Sequence, residues 1–484
     1  MASLLWNRIS KLDRFEKIGL FLFVLGHACA AYFSFGYNHP DEHFQILEFA
    51  DYFIGLKADS SSLPWEFRSQ IRPWFQPFLH ALPMKLLLSL GWYQAFDLLA
   101  AFRVLYAALN LAALWSLWRV FKDKFAIDPK WFLLIGTLWF FPYLHVRNSS
   151  ENLSGIFLTF AFAVFFGGGR SFLCGLLFGF AFLARYQIAL GLAGFALAIL
   201  ARERRITGDH LRMLGGFLIV VGFGAVLDRI GYGNWVLAPY LYFKVNLVDG
   251  VAATFNPYPW YQYFIWILQL NPVVSLPLFL GILVYAKKEK IDPLAGFVLT
   301  FMFLHFLITN KEYRFFFPLM NLVILISIRA FQDSPQRWFS APYLTAYLGT
   351  SILGFYVSTF HGAALGSLWC IHTAHRFGSA GETWLSNRDF VSEFRNNYYR
   401  LDQVKVHTYG TDVELSEALK EHTPPTHVMI DAKIGEENTG RLMNLLRNRG
   451  CELETSALPD FVFSLRDRFP VIRKIAYRAL YRCP

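Results

Sequence analysis

Two adjacent carboxylates, Asp41 and Glu42, stand between His39 and His43 in YNHPDEHFQ (37–45), directly after an apolar run. A carboxylate so placed can take a proton from a hydroxyl as general base. Far along the chain, NKEYRF (310–315) offers Lys311, Glu312 and Arg314, RNSSEN (147–152) offers Arg147 and Glu151, and ARYQ (184–187) offers Arg185. Guanidinium and ammonium groups can hold a phosphate and stabilise charge as it departs. Glu48, Asp51, Glu66, Arg68 and Arg72 add to the first group, and Asp228, Arg229 and Lys244 lie in or beside 230–261. Together they point to a reaction between a lipid-bound phosphate and a hydroxyl. Plainer readings stand beside this one. Basic residues at the ends of membrane spans often only reach for headgroups, and Asp41 with Glu42 would also suit a solvated loop. The two histidines flanking Asp41 suggest a metal, but a divalent ion takes more convergent ligands, so neither a metal nor a cofactor is assigned.

The elements that must carry these residues are apolar. Hydrophobic residues make up 55% of the 484 and charged residues only 17%, against about 25% charged in soluble domains. The chain reads as a polytopic α-helical membrane protein rather than a soluble one. Its net charge of +10 lies mostly in short clusters between apolar runs, the positive-inside pattern, so nucleic acid is not an expected partner. Arg8, Lys11, Arg14 and Lys17 precede the first run, as in a signal-anchor. Spans of about 20 residues are expected near 18–37, 94–121, 131–146, 152–168, 171–185, 187–201, 213–229, 262–285, 292–309, 314–331 and 341–360. With those about 11 transmembrane helices and the N-terminus inside, the basic clusters fall inside. The loops 38–93, 147–151, 230–261 and 310–313 and everything after 360 then fall outside. The apolar run 77–92 is expected to lie along the membrane interface. The sequons at Asn148 and Asn152 are expected to escape glycosylation, being so close to the membrane.

Residues 380–484 change character and form a small extracytoplasmic α/β domain. VKVHTYG and THVMIDA read as strands, DVELSEALKEH and ENTGRLMNLLRNRG as helices. The tail VIRKIAYRALYR (471–482) reads as a basic amphipathic stretch for anionic lipid. Cys29 and Cys174 suit packing, whereas a disulfide is possible among Cys370, Cys451 and Cys483 if that region is extracytoplasmic.

Four stretches resemble a known family. HPDEHFQ (39–45) with LPWEFRSQIRPWFQP (63–77) resembles the first luminal loop of dolichyl-phosphate-mannose-dependent mannosyltransferases. These form glycosyltransferase family 22 of the GT-C superfamily, acting in GPI-anchor and N-glycan assembly. DRIGYGNWVLAPYLYFKVNLVDG (228–250) resembles the family's D-R-x-x-Y-G-x-W stretch and the F-x-x-x-N segment after it, NKEYRFFFPLMNLV (310–323) its H-K-E-x-R-F-x-x-P motif, and SSENLSG (149–155) its A-E-T-x-S segment. The resemblance runs from about 18 to 365, which sets a GT-C transmembrane catalytic domain at 1–365. Asn310 stands where the family usually has His, and ARYQ where R-P-T is common.

The resemblance implies a metal-independent, inverting transfer of a sugar, mannose first among candidates, from a polyprenyl-phosphate (dolichyl-type) donor to a lipid-linked or glycolipid acceptor. Asp41 is then the base and Glu42 its neighbour in orienting the acceptor. Arg314, Lys311 and Arg185 are partners for the donor phosphate. His39, Glu312, Glu151, Arg68 and Arg72 are substrate-binding residues. The rival reading is a transporter or flippase for a lipid-linked sugar, which would use the same cavity without chemistry. The membrane is that of the endoplasmic reticulum or a bacterial plasma membrane, with the site luminal or extracytoplasmic.

Overall fold

The computed structural model describes residues 12–34, 36–57, 59–360, 366–379, 381–388, 399, 404–421, 426–434, 437–458 and 476–484. The described part up to residue 360 is mostly helical, and a sheet follows it. Five segments are long and apolar enough to cross a membrane: Arg14–Phe33, Ala95–Phe125, Ser150–Gly167, Gly208–Tyr232 and Tyr313–Phe331. Ser171–Ala184 and Pro293–Leu307 are shorter apolar helices. Helix also forms in the other expected stretches, in part interrupted. The 131–146 stretch splits into Phe132–Gly136 and Phe140–His145. The 262–285 stretch breaks at Asn271, between Gln262–Leu270 and Pro272–Lys288. Pro272 starts the second piece, where a missing N–H does no harm. Length and composition thus support five crossings directly, where eleven were expected.

Local chemistry sets the helix ends. Asp13 caps Arg14–Phe33 by accepting from the amide of Phe15 at 2.8 Å, and Glu16 reaches back to the amide of Asp13. The same Glu16 carboxylate, buried, takes Lys122 at 2.7 Å and the Trp118 indole at 2.9 Å. That ties the first helix to the far end of Ala95–Phe125. Ser171–Ala184 lies against Gly208–Tyr232 with backbones touching. A Cβ on Gly175 would sit 1.9 Å from the Met213 carbonyl oxygen, and one on Gly216 would sit 2.3 Å from that of Phe172. Small residues permit such approach where no water drives association.

The first loop is built, not slack. A π-helical turn, His43–Leu47, runs directly into the Glu48–Phe53 helix, and Trp65–Arg68 and Phe75–Ser89 follow. Phe75–Ser89 buries Phe75, Phe78, Ala81 and Met84 and leaves Leu79, Leu82 and Leu86 exposed on its outer face. An apolar outer stripe of this kind suits a membrane interface. Trp74 anchors the loop to Gly208–Tyr232. Its amide donates to Asp228 at 2.8 Å, and its ring lies where a Cβ on Gly231 would be.

Five strands form the C-terminal sheet: β1 Glu382–Ser386, β2 Val404–Thr408, β3 Thr426–Lys433, β4 Glu452–Ser456 and β5 Ala476–Cys483, in the order β2-β1-β3-β5-β4. The first three are parallel, and β5 is antiparallel to both its neighbours. Asp412–Glu421 and Glu437–Asn448 are the helices expected there. The helix Gly366–Phe377 buries Leu368, Trp369 and Ile371 in one cluster with Ile46 and Phe102 of the helical part and Trp384 and Met429 of the sheet. The sheet is therefore joined to the helical part through one shared apolar cluster.

The tail departs from expectation. Residues 476–483 are a strand paired on both sides, not an amphipathic stretch lying on lipid, and 471–475 lie outside the described residues. Tyr477, Ala479 and Tyr481 alternate into the core, while Arg478 pairs with Asp431 of β3 at 3.1 Å. Backbone pairing to two neighbours and a period of two override the reading of its basic residues as lipid contacts. Cys451 and Cys483 form a disulfide across a separation of 32 residues, and Cys370 is buried outside that bond. In the loop-entropy account, closing a loop of that size stabilises by about 4 kcal/mol. Cys451→Ala should therefore make the C-terminal sheet much more sensitive to limited proteolysis while leaving the helical part resistant. Equal sensitivity of both proteins would show that the bond does not hold the sheet.

Candidate active site

Arg314 is the hub. It opens the short 3-10 segment Tyr313–Leu319, and its guanidinium meets Asp41 at 2.7 Å, Glu151 at 3.2 Å and Glu312. Glu151 also takes Arg185 at 3.0 Å, and Arg185 donates to Ser150 Oγ at 3.0 Å. Carboxylates and arginines separated by up to 273 residues in sequence thus form one continuous network. His39 belongs to its edge. Its Nδ1 accepts from the amide of Asp41 at 3.2 Å, and its Nε2 faces Glu312 at 3.6 Å. The imidazole shapes the turn that presents Asp41.

Two cavities meet here. The smaller, about 520 Å³, is lined by Glu42, Gln76, Ser149, Ser150 and Glu151 among others. The larger, about 1280 Å³, has Arg314 and Glu312 on its wall together with Phe44, Trp65, Phe243 and Phe255. Asp41, Gln45, Arg72, Arg185 and Tyr242 line both and so mark the boundary. Each wall carries a π-helical turn: His43–Leu47 just after Asp41, and Lys244–Val248 just after Tyr242 and Phe243. Such turns are frequent at functional sites.

The two neighbouring carboxylates differ in charge state. Burial would raise Asp41, but Arg314, then His39 and Arg72, outweigh it and hold its carboxyl well below the usual range. Burial wins at Glu42 and pushes it up to about 7, against the pull of Arg147 and the amide of Asn38. Glu42 spends one oxygen on its own turn, accepting from the amides of Asn38 at 2.8 Å and His39 at 3.3 Å. Asp41 is the carboxylate that stays ionised.

The remaining expected residues divide. Arg72 lies over the Tyr242 ring at 5.7 Å and pairs with Glu66 at 3.4 Å, and Glu66 also accepts from Gln45 at 2.8 Å. Lys311 is not on either cavity wall. Its buried ammonium donates to the carbonyls of Phe306 (3.0 Å) and Ile308, closing the end of Pro293–Leu307. Arg68 is exposed, outside both cavities, and donates to the Ser61 carbonyl at 3.3 Å. Neither is placed to meet a phosphate held by Arg314. Lys311 has its backbone bonded to Asn256 at 3.2 Å, and that pairing fixes which way its side chain leaves.

The segment carrying Glu151 is clamped from below. Asn152 donates to the carbonyls of Arg147 at 2.8 Å and His145 at 3.0 Å and accepts from Asn110 at 2.8 Å, which in turn accepts from Asn321 at 3.2 Å. Asn148 accepts from His80 at 2.7 Å and Tyr106 at 3.2 Å. Both sequon asparagines are thus buried and engaged rather than offered for modification. Gln45, Tyr242, Gln187 and His305 were not singled out from sequence as site residues. His305 had the one usable signal, an ionisable group within an apolar run.

A family profile, that of the Alg9-like mannosyltransferases, matches residues 19–371, well over half the chain. The chain belongs to the Alg9-like mannosyltransferase family. It is 27% identical over 373 residues to GPI mannosyltransferase 3 of Drosophila melanogaster, covering 72% of this chain and 63% of the relative. It is 24% identical over 341 residues to GPI alpha-1,2-mannosyltransferase 3 of Xenopus laevis, covering 66% and 61%. Mannosyltransferase APTG1 of Arabidopsis thaliana is 23% identical over 313 residues, covering 61% and 55%. The chain thus spans less than two thirds of the length of these relatives. No solved structure matches it. The family match ends within Gly366–Phe377, so it takes in the whole charge network and stops short of the sheet.

Behind the network lies a second buried charge group of this family member. Glu48 pairs with Lys57 at 2.7 Å and faces His43 at 3.5 Å. Asp51 has no hydrogen-bond partner for either carboxylate oxygen among the described residues. Burial pushes Asp51 from 3.8 up to about 7, against the pull of Lys57. A carboxyl raised on folding destabilises the fold progressively as pH rises between those two values. Thermal stability in detergent should therefore fall from about pH 4 to about pH 7, and Asp51→Asn should flatten that fall. An identical slope in the variant would show that Asp51 titrates as in the unfolded chain.

Proposed function

We propose that the chain transfers mannose, with inversion, from a polyprenyl-phosphate donor to a hydroxyl of a lipid-linked or glycolipid acceptor. The observation that carries this is the position of Asp41, ionised, on the boundary of two cavities and 2.7 Å from Arg314. In this reading the acceptor hydroxyl gives its proton to Asp41 and its oxygen attacks the anomeric carbon. The bond from that carbon to the phosphate oxygen breaks, and the electron pair leaves with the phosphate. Arg314 and Arg185 hold that charge, so no acid is needed on the leaving group. A single displacement inverts the anomeric centre. Arg314 weakens Asp41 as a base while it is undivided. A phosphate that draws the guanidinium toward itself restores basicity when the donor is in place.

The family supports mannosyl transfer, and the names of the relatives support a GPI-type glycolipid acceptor and an endoplasmic-reticulum-type membrane. The Cys451–Cys483 disulfide suits a sheet on the luminal side, where such bonds persist. The same face would carry the first loop and the site, as the charge pattern of eleven crossings requires.

Purified protein in proteoliposomes, given labelled polyprenyl-phosphate mannose and a glycolipid acceptor, should yield labelled acceptor and free lipid phosphate. Donor moved intact across the bilayer would favour the transporter reading instead. Asp41→Asn should lower turnover by about 10²–10⁴-fold with donor affinity unchanged, and full activity would remove Asp41 from the base role. Arg314→Ala and Arg185→Ala should both raise the donor KM. Only Arg314→Ala should move the acid limb of kcat/KM to higher pH, because it alone of the two pairs with Asp41. A matching shift in Arg185→Ala would disconnect the limb from Asp41.

A further inference from the structure

Three residues on the wall of the larger cavity, Gln187, His305 and Asn310, each carry a buried acceptor atom with no hydrogen-bond partner among the described residues. They come from separate places: the turn after Ser171–Ala184, the last turn of Pro293–Leu307, and the strand-like stretch paired with Pro257. Buried polar atoms are nearly always satisfied, so three on one wall need an explanation. The His305 tautomer sharpens it. Its Nδ1 lies 2.8 Å from the Phe301 carbonyl oxygen, which can only accept, so Nδ1 carries the proton. The neutral ring then leaves Nε2 as an acceptor. His305 is 1% exposed and Gln187 9%, so bulk water does not serve them.

A phosphate, which presents acceptor oxygens, cannot satisfy an imidazole Nε2 of this kind. A hydroxyl can, and it can also pair with an amide in either orientation. We infer that Gln187, His305 and Asn310 form a subsite that accepts hydrogen bonds from the hydroxyls of the donor hexose. A shared neighbour sets this subsite close to the donor phosphate. Phe315 has the Arg185 guanidinium 5.3 Å from its ring centroid on one side and the His305 ring 5.8 Å away on another. The hydroxyl acceptors therefore stand beside the arginine proposed to hold the donor phosphate. The sugar joined to that phosphate would fall against them. The inference rests on the proposed transfer reaction, and it gives Asn310 a task where the family usually has His.

Binding in nanodiscs tests it, with polyprenyl-phosphate mannose, polyprenyl-phosphate glucose and bare polyprenyl phosphate as probes. Gln187→Leu, His305→Phe and Asn310→Leu should each weaken the mannose donor about tenfold, narrow the preference between the two sugars, and leave bare polyprenyl phosphate unchanged. Equal weakening of the bare phosphate would assign these residues to the phosphate and overturn the subsite. A raised acceptor KM with donor affinity intact would assign them to the acceptor and overturn it as well. Asn310 lies in a half-buried loop, so Asn310→Leu carries the test if the helix variant does not fold. Wild-type protein that binds the donor but transfers nothing would end the transfer reading and leave the subsite standing. Transfer by wild type with unchanged donor affinity in the variants would end the subsite alone.

Discussion

One guanidinium shared among three carboxylates is the constraint on which the site depends. Arg314 has Asp41, Glu151 and Glu312 around it, and those three come from the first loop, the start of Ser150–Gly167 and its own turn. Removing one partner from a buried ion pair leaves an uncompensated charge and costs about 3–5 kcal/mol. The network therefore fixes the relative places of three segments that the chain does not connect locally. It also leaves capacity. Each nitrogen of Arg314 serves one carboxylate, and a guanidinium has five N–H donors in all. A phosphate can first be received on the spare donors, and only then draw the guanidinium away from Asp41.

That arrangement works only if Glu151 is held still, since it bridges Arg314 and Arg185. A glutamate in the first turn of a helix has a favourable place by dipole alone, but its heading depends on the turn before it. Three asparagines from three helices, Asn110, Asn152 and Asn321, join end to end beneath that turn. Among apolar surroundings their amides have no alternative partners in solvent, so each satisfied bond excludes another backbone path. The amide chain and the ion network are two halves of one device: one orients the carboxylate, the other uses it.

Much of this was legible because charge next to hydrocarbon is expensive. Asp41, Glu151, Arg185 and Arg314 stood out as polar groups flanking apolar runs, and the resemblance of the surrounding stretches brought them to one side. What was not legible followed from facts that composition does not carry. Lys311 and Arg314 are three residues apart and equally cationic. The pairing of Lys311 with Asn256 turns its ammonium onto helix-end carbonyls and leaves Arg314 alone to meet Asp41. Glu42 was grouped with Asp41 in chemistry, yet its oxygen is taken by the amides of its own turn. The tail read as a lipid-facing stretch because its basic residues alternate with apolar ones, whereas pairing with β3 and β4 made it a strand. Gln187 gave no sign as a site residue, and His305 only that of an ionisable group within an apolar run, since an acceptor lacking a partner can be recognised only once its surroundings are known.

The division of the space into two cavities bears on the proposed chemistry more directly than any single residue. An inverting displacement needs the attacking oxygen and the departing oxygen on opposite sides of one carbon. Asp41 and Arg185 both border the two cavities, and they are joined only through Arg314 and Glu151. A sugar lying across that bridge would have Asp41 at one end and Arg185 at the other, with Arg314 between them. The smaller cavity, where Ser149, Ser150 and Gln76 mix with Ile46, Pro77 and Ala184, is a narrow recess beside Asp41 with room for no more than the reacting end of an acceptor. The larger, with Phe44, Trp65, Phe243 and Phe255, offers the apolar surface that a lipid-linked donor needs. On this arrangement the reaction's stereochemistry follows from which cavity each substrate can enter, and the ion network sets the single point at which they meet.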